Sequence, residues 1–274
     1  MVPTLDDYYK DIPIDVKPKD DVFLDHIQFT DMMIEASLII DFQKRNFYNV
    51  GNHDFFLCGY SHEKVTSMGY RFFEKAIHPD DIFLWTEMHN TILLSLHEQK
   101  FKQDEVHYFS CTFRIKNSLK FRKSAQYLMA YLKIKPVWVN RQLRFGLCLL
   151  SESVIKTSGN LRIHFKEKKF FCEYSRQFAR WKQVKHIKLS PRERELIMWL
   201  KQGKNRKEIA EIMCIEMNTV DNTMKHIFEK LKVDNSIQAT IYATNHRLLF
   251  HPESMAETEQ QKRNNNENSD PVKR

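Results

Sequence analysis

The sequence predicts an α+β protein in which an antiparallel β-sheet domain is followed by an all-α domain of four helices. Two observations carry this prediction. Strand-like runs with alternating apolar residues flank a helical stretch within the first 152 residues, which is typical of an antiparallel sheet with one covered face. After residue 188 the apolar residues recur at helical spacing. The 274 residues are enough for two ordinary domains.

The formal net charge of +8 is unevenly distributed along the chain. Residues 1–155 carry 19 Lys and Arg against 20 Asp and Glu, whereas residues 156–250 carry 20 against 10. This asymmetry suggests a neutral sensing or scaffolding part joined to a part that meets a polyanion such as DNA. The alternative is a basic domain that is merely well solvated.

Residues 1–34 are predicted to be a polar segment that contains one amphipathic helix, with apolar residues at positions 23, 27, 32 and 33. Its acidic start has no basic region before an apolar one, so no signal peptide is expected. No run in the chain approaches the ~18 apolar residues that span a bilayer. The five cysteines are scattered, without a C-x-x-C pair, which argues against a disulfide framework or a zinc ribbon. We therefore expect a cytoplasmic protein with reduced thiols and no membrane contact.

Residues 35–152 are predicted to form the sheet domain. SLIIDFQKRNFYNVG is typical of two strands around a turn, residues 52–98 are helical, and three strand-like runs follow. This order of elements resembles a PAS domain, which is a five-stranded antiparallel sheet cupped around a small cavity. The element His78-Pro79-Asp80-Asp81 before the longest helix strengthens the resemblance. The resemblance implies a candidate sensor cavity lined by Phe72, Phe73, Trp85, Met129 and Tyr131.

The same four residues, 78–81, permit a second interpretation, because a His-Pro-Asp-Asp element begins the zinc site of some deacetylases. A catalytic zinc needs three protein ligands, yet Ile82 stands where that motif wants a further acid, and the chain has no H-x-x-H pair. The favoured interpretation is that Pro79 begins a helix whose positive end faces the two acids. No metal and no cofactor are expected, and a metal-dependent hydrolase is the less favoured alternative.

Residues 153–188 are predicted to be a connector that contains a β-hairpin. SGNLRIHF and KKFFCEY would be its strands, with a charged turn at residues 166–168. Because an isolated hairpin is marginally stable in water, it should pack on a neighbouring domain. The polar, low-complexity residues 251–274 are predicted to be a disordered tail.

Residues 189–250 are predicted to be four helices. The first has Ser190 as N-cap, Pro191 in its first turn, and Glu193 completing a capping box. NRKEIAEIM is a short second helix, a tight link follows, and Thr219–Leu231 has apolar residues on one face only. SIQATIYATNHRLL is the fourth helix. A short helix, a tight turn and a longer helix with an exposed polar face constitute a helix-turn-helix.

This segment resembles the LuxR/GerE-type helix-turn-helix of bacterial transcription regulators. The matching residues are Leu189, Pro191, Arg192, Glu193, Leu196, Gly203, Asn205, Lys207, Glu208, Ile209, Ala210, Ile215, Thr219, Val220, Ile227, Lys230, Leu231, Val233 and Ala239. A PAS-like domain followed by this helix-turn-helix resembles a group of one-component bacterial regulators. The chain departs from the family pattern at Glu216, Asp221, Thr223 and Ser236. These departures affect the expected DNA sequence preference and not the expected fold.

The resemblance implies roles for individual residues of the helical domain. The residues expected to read bases in the major groove are Asp221, Asn222 and Lys225. Asp can accept from cytosine N4, Asn can pair with adenine, and Lys can donate to guanine; the alternative for Asp221 is a solvated or capping acid. Phosphate contacts are expected from Asn205, Arg206, Lys207, Thr219 and Lys230. The dimer surface is expected to include Ile237, Ile241 and Tyr242.

The predicted function is therefore a one-component DNA-binding transcription regulator and not an enzyme. The chain has only six glycines and no phosphate-binding loop motif or nucleophile elbow. The expected partner is double-stranded DNA, bound by a homodimer, with RNA polymerase and an unknown small ligand of the PAS-like domain as candidate partners. The alternative is a PAS-like protein-interaction adaptor that binds no small ligand.

Overall fold

The computed structural model of the protein describes residues 35–97, 101–102, 105–118, 126–139, 142–246 and 248–249. The predicted amino-terminal helix and the predicted disordered tail lie outside these residues. The chain divides into two compact units, one that ends at His186 and one that begins at Ile187. Each unit has its own secondary structure class, so they are described separately.

The first unit contains one eight-stranded antiparallel sheet. Its strands are β1 (Ala36–Asp41), β2 (Asn46–Val50), β3 (Val106–Lys116), β4 (Tyr127–Val139), β5 (Gln142–Glu152), β6 (Gly159–Phe165), β7 (Phe170–Ser175) and β8 (Arg180–Lys185). They stand in the order β2-β1-β5-β4-β3-β6-β7-β8. The first five strands and the helices between β2 and β3 follow the predicted element order, which confirms a PAS-like antiparallel sheet domain.

Four helices lie between β2 and β3. They are α1 (Asp54–Leu57), α2 (His62–Met68), α3 (Arg71–Ala76) and α4 (Pro79–His97). Their apolar side chains pack with one face of the sheet in a single core that is rich in aromatic rings. On β4 this face carries Leu128, Ala130, Leu132 and Ile134, all of them buried. We call this the inner face of the sheet.

The sheet has three strands more than the five that the sequence predicted. The predicted hairpin is present as β6 and β7, and it continues the sheet because β6 pairs with β3, with Ser110 opposite Arg162. Strand β8 was not predicted, because its sequence RWKQVK is mostly polar. Its two apolar residues, Trp181 and Val184, are three positions apart and so do not show the alternation of a strand. Trp181 anchors β8 to α4, since its Nε1 donates to Ser95 Oγ at 3.0 Å.

The carboxylate of Asp81 ties the start of α4 to β3 and to the loop before β6. It accepts hydrogen bonds from the Arg114 backbone N, Nε and Nη2 at 2.8, 3.0 and 2.6 Å, and from Ser158 Oγ at 2.6 Å. Burial alone would raise the pKa of Asp81, but the hydrogen bonds from Arg114 and Ser158 lower it to about 2. These contacts give Asp81 a structural role, and they do not favour the metal-dependent hydrolase.

The second unit is all-α, as predicted. Its helices are α5 (Pro191–Lys201), α6 (Arg206–Ile212), α7 (Met217–Leu231) and α8 (Ser236–Asn245). They enclose a core that includes the buried residues Leu196, Ile197, Ile209, Val220, Met224, Ile227, Leu231, Ala239 and Ala243. None of the helices in the described ranges is long and apolar enough to cross a membrane.

Candidate nucleic-acid interface

Two capping boxes fix the starts of α5 and α6. Ser190 Oγ accepts from the Glu193 backbone N at 3.2 Å, and the Glu193 carboxylate accepts from the Ser190 backbone N at 2.7 Å. Asn205 and Glu208 make the same reciprocal pair at the start of α6. Each box satisfies backbone donors that a helix leaves free at its first turn. Both helices therefore begin at defined residues, and α6 is the short helix that precedes the turn into α7.

Helix α7 divides cleanly into a buried and an exposed face. Val220, Met224, Ile227 and Leu231 are buried, as their spacing predicted. The N-cap residue Glu216 makes no side-chain hydrogen bond to the helix. The exposed residues of α7 include Asn218, Asn222, Lys225, His226 and Glu229. A polar face of this kind, on the longer helix after a tight turn, is the surface that such a motif places in a DNA groove.

The three residues expected to read bases have different surroundings. Asn222 and Lys225 are exposed on α7, and Lys225 makes no ion pair with another described residue. The side chain of Asp221 is 41% exposed, and its Oδ1 lies 3.0 Å from Nη1 of Arg206, the first residue of α6. The acid near the start of α7 therefore neutralises a basic residue of the neighbouring helix and holds its guanidinium in place.

The residues expected to contact phosphate lie at the start of α6 and on α7. Arg206 and Lys207 are exposed at the start of α6, next to the N-cap residue Asn205. Thr219 is half-buried on α7. Lys230 instead lies against α5, where its Nζ donates to the Glu193 carboxylate at 2.7 and 3.1 Å.

The contact between Lys230 and Glu193 links α7 to the first turn of α5. The side chain of Glu193 is only 13% exposed. Burial would raise the pKa of Glu193, but the hydrogen bonds from Lys230 and Ser190 lower it below its ordinary value. Lys230 thus has a structural partner already, and its ammonium group is less available to phosphate than that of Lys207.

The fourth helix presents two of the three residues expected at a dimer surface. Ile237 is 71% exposed and Ile241 is 39% exposed, and their spacing of four residues places them on one face of α8. Tyr242 is buried instead, and its ring lies 4.1 Å from that of His246. The structure therefore does not bring Tyr242 together with the two isoleucines.

The five residues expected to line a sensor cavity lie on two faces of the sheet. Phe72, Phe73 and Trp85 pack on the inner face, where the rings of Phe73 and Trp85 are 4.7 Å apart. Met129 and Tyr131 alternate with the inner residues of β4 and so point to the outer face. Met129 and Tyr131 thus cannot line one cavity with the other three.

Sequence reasoning missed two exposed residues of α7. Asn218 precedes Asn222 by one helical turn and His226 follows it by one turn, so all three lie on the same face. The helical period that identified the buried residues would also have found them. Asn and His side chains can both donate and accept hydrogen bonds, which suits contact with base edges.

Residues 188–243, which contain the two capped helices and α7, match the family of bacterial regulatory proteins named luxR. This segment is a luxR-family domain. The segment is similar to parts of curated regulators. It is 37% identical over 62 residues to the transcriptional activator protein BjaR1 of Bradyrhizobium diazoefficiens. It is 45% identical over 51 residues to the transcriptional regulatory protein DesR of Bacillus subtilis.

These similarities are confined to the luxR-family domain. The match to BjaR1 covers 23% of this chain and 26% of that protein, and the match to DesR covers 19% and 26%. The chain thus spans about a quarter of the length of these relatives.

Two solved structures show a distant likeness. The alignment with a Vibrio cholerae VqmA dimer covers 85% of this chain and 92% of the VqmA chain, with 12% identity and a TM-score of 0.33. The alignment with a PAS domain from a two-component sensor histidine kinase covers 48% of this chain and 96% of the PAS chain, with 16% identity and a TM-score of 0.32.

Proposed function

We propose that the protein is a one-component transcription regulator whose luxR-family domain reads promoter DNA. The observation that carries this proposal is the exposed polar face of α7. This helix follows a tight turn after α6, and both α5 and α6 begin with capping boxes. In this role Asn222 and Lys225 contact base edges, because both are exposed and both match groups that the major groove presents. Lys207 is exposed and makes no ion pair with another described residue, and it contacts phosphate, which positions the helix without specifying sequence.

We infer that the PAS-like unit supplies regulation. Its inner face is a compact core of aromatic rings around α3 and α4, with Phe72, Phe73 and Trp85 in contact. A small ligand that entered this core would have to displace or rearrange these rings, which would disturb α4. In the absence of such a ligand the same unit would act as a protein-interaction module.

Three further features belong to the proposal. The protein acts as a homodimer, because the exposed Ile237 and Ile241 on α8 form an apolar strip that a second copy would cover. It works in the cytoplasm, where promoter DNA is found in bacteria. A regulator bound at a promoter also lies within reach of RNA polymerase, which is the remaining partner we propose. No enzymatic activity is assigned.

Genome-wide binding of the tagged full-length protein tests the proposal and would name the bound promoters. Binding of the purified full chain to a recovered fragment should then weaken steeply with salt. Asn222→Ala and Lys225→Ala should each reduce the preference for that fragment over a scrambled duplex by about 1–3 kcal/mol.

Gln202→Ala is the matched control, because Gln202 is an exposed polar residue beyond the end of α5. It should leave both affinities unchanged. The proposal is wrong if the protein binds no recovered fragment, or if Asn222→Ala and Lys225→Ala have no more effect than the control.

A further inference from the structure

Most of the net positive charge of residues 156–250 lies outside the luxR-family domain. Residues 187–246 carry ten Lys and Arg against eight Asp and Glu. Residues 156–186, which contain β6, β7 and β8, carry nine against two. The net charge of this sheet extension is therefore +7, against +2 for the helical unit.

The cations of the helical unit are also partly neutralised by acids of the same unit. Arg206 pairs with Asp221, and Lys230 pairs with Glu193. Lys204 lies 3.5 Å from Glu208. Since phosphate contacts supply most of the affinity for DNA, these three paired cations have less capacity for such contacts than unpaired ones.

The sheet extension, by contrast, presents cations that no acid neutralises within the described residues. Arg180, Lys182 and Lys185 are exposed on β8, and none of them forms an ion pair with another described residue. The acid opposite Lys182 in the register is Glu173, but the Glu173 carboxylate is taken by Arg162 Nε at 2.8 Å. The charge of β8 is thus available to a ligand.

Strand β8 also holds these cations on a rigid element. It is the last strand of the sheet and pairs with β7 along its whole length. Trp181, between Arg180 and Lys182, is fixed by its hydrogen bond to Ser95 and by ring contact with Tyr174 at 5.2 Å. A rigid strand loses less conformational entropy on binding than a loop would.

We propose that β8 is a second DNA-binding surface, on which Arg180 and Lys182 bind phosphates of the duplex without reading its sequence. These two residues are two apart and so lie on one face of the strand, whereas Lys185 lies on the opposite face with Trp181. Only residues 186–190 separate β8 from α5 of the luxR-family domain, so the chain itself couples the two surfaces. This inference rests on the proposed function, and its test is chosen so that the two can fail separately.

The test measures the salt dependence of DNA binding by the full-length protein. The logarithm of the binding constant is plotted against the logarithm of salt concentration for a recovered promoter fragment and for a scrambled duplex. The double variant Arg180→Gln and Lys182→Gln should make the slope shallower by about 0.9 for each phosphate that is no longer bound, or about 1.8 for both. The affinities for both duplexes should fall by the same factor, because phosphate contacts carry no sequence information.

The control variant removes the same charge elsewhere in the first unit. It carries Lys64→Gln and Arg71→Gln, two exposed residues of α2 and α3 that make no ion pair with other described residues. It should leave the slope close to that of the parent. If the β8 double variant does not fold, Lys182→Gln alone should still make the slope shallower by about 0.9.

Three outcomes would overturn the inference. If the β8 variant and the control give equal slopes, β8 does not contact DNA, while the proposed function stands. If the β8 variant loses binding to phosphatidylserine vesicles but keeps its DNA slope, the strand binds membranes instead. If the parent protein binds no duplex at all, the proposed function itself fails, and that failure is visible before any variant is made.

Discussion

Removal of the Asp221 carboxylate should release Arg206 and change how the protein binds DNA. Asp221→Asn keeps the shape of the side chain but abolishes the ion pair, whose two atoms are 3.0 Å apart. The side chains of Arg206 and Asp221 are 60% and 41% exposed. An ion pair this exposed contributes only about 0.2–1 kcal/mol to folding. We therefore expect the free energy of unfolding to fall by no more than about 1 kcal/mol.

The effect on DNA binding should be larger and should have two parts. A released Arg206 can make one additional phosphate contact, which raises the affinity for any duplex and steepens the salt slope by about 0.9. If the Asp221 carboxylate also accepts from a cytosine, the neutral amide weakens that hydrogen bond, and the preference for the promoter fragment over a scrambled duplex should fall, by at most about 1–3 kcal/mol. Fluorescence anisotropy with both duplexes at several salt concentrations separates the two parts.

A double-mutant cycle with Arg206→Gln decides whether the effect passes through the ion pair. In the Arg206→Gln background, Asp221→Asn should no longer steepen the salt slope, because the arginine that it would release is gone. If the slope still steepens by the same amount, Asp221 acts by its own repulsion of phosphate. The ion pair with Arg206 would then have no part in DNA binding.

Three more predictions concern stability and reactivity. Val220→Asp should abolish the thermal unfolding transition of the helical unit in circular dichroism, because it places a charge at a fully buried position; a normal melt would show that Val220 is not in the core. The folded pKa of Asp81, about 2, lies below its ordinary value, so its contribution of about 2–3 kcal/mol is present above pH 4 and disappears as the pH falls towards 2. Asp81→Asn should remove this part of the acid sensitivity, as measured by urea unfolding at a series of pH values, and an unchanged profile would contradict the assignment. Cys214 is the exposed cysteine and the other four are buried, so a thiol reagent should label one group rapidly in the native protein and none in Cys214→Ser.

The helical unit could be predicted closely because its signals are local. A capping box needs residues three apart, and the buried face of α7 needs apolar residues at a helical period, so both are visible in a short window of sequence. The start of α5 at Pro191 and the buried positions Val220, Met224 and Ile227 follow from such windows.

Local sequence patterns could not predict the ion pairs of the candidate nucleic-acid interface. Lys230 and Glu193 are 37 residues apart in the chain. Each is of a residue type that is usually solvated on a protein surface, so nothing in the sequence marks them as a pair. Only the packing of α7 against α5 brings them together, and only the approach of α6 to α7 pairs Arg206 with Asp221. Sequence reasoning therefore assigned Lys230 and Arg206 equally to phosphate, whereas the structure gives them different partners.

The sequence by itself determined the α+β class, the order of the first strands and helices, and the helix-turn-helix, since each depends on periodicity and capping within one element. Tertiary structure decided which face of β4 is covered. Both faces carry apolar residues, Leu128 and Ala130 on one and Met129 and Tyr131 on the other, so alternation alone could not choose between them. Tertiary structure also decided that β6 pairs with β3 and that the basic strand β8 belongs to the sheet. Strand pairing joins residues far apart in the chain, and its hydrogen bonds are made by backbone groups that every sequence shares.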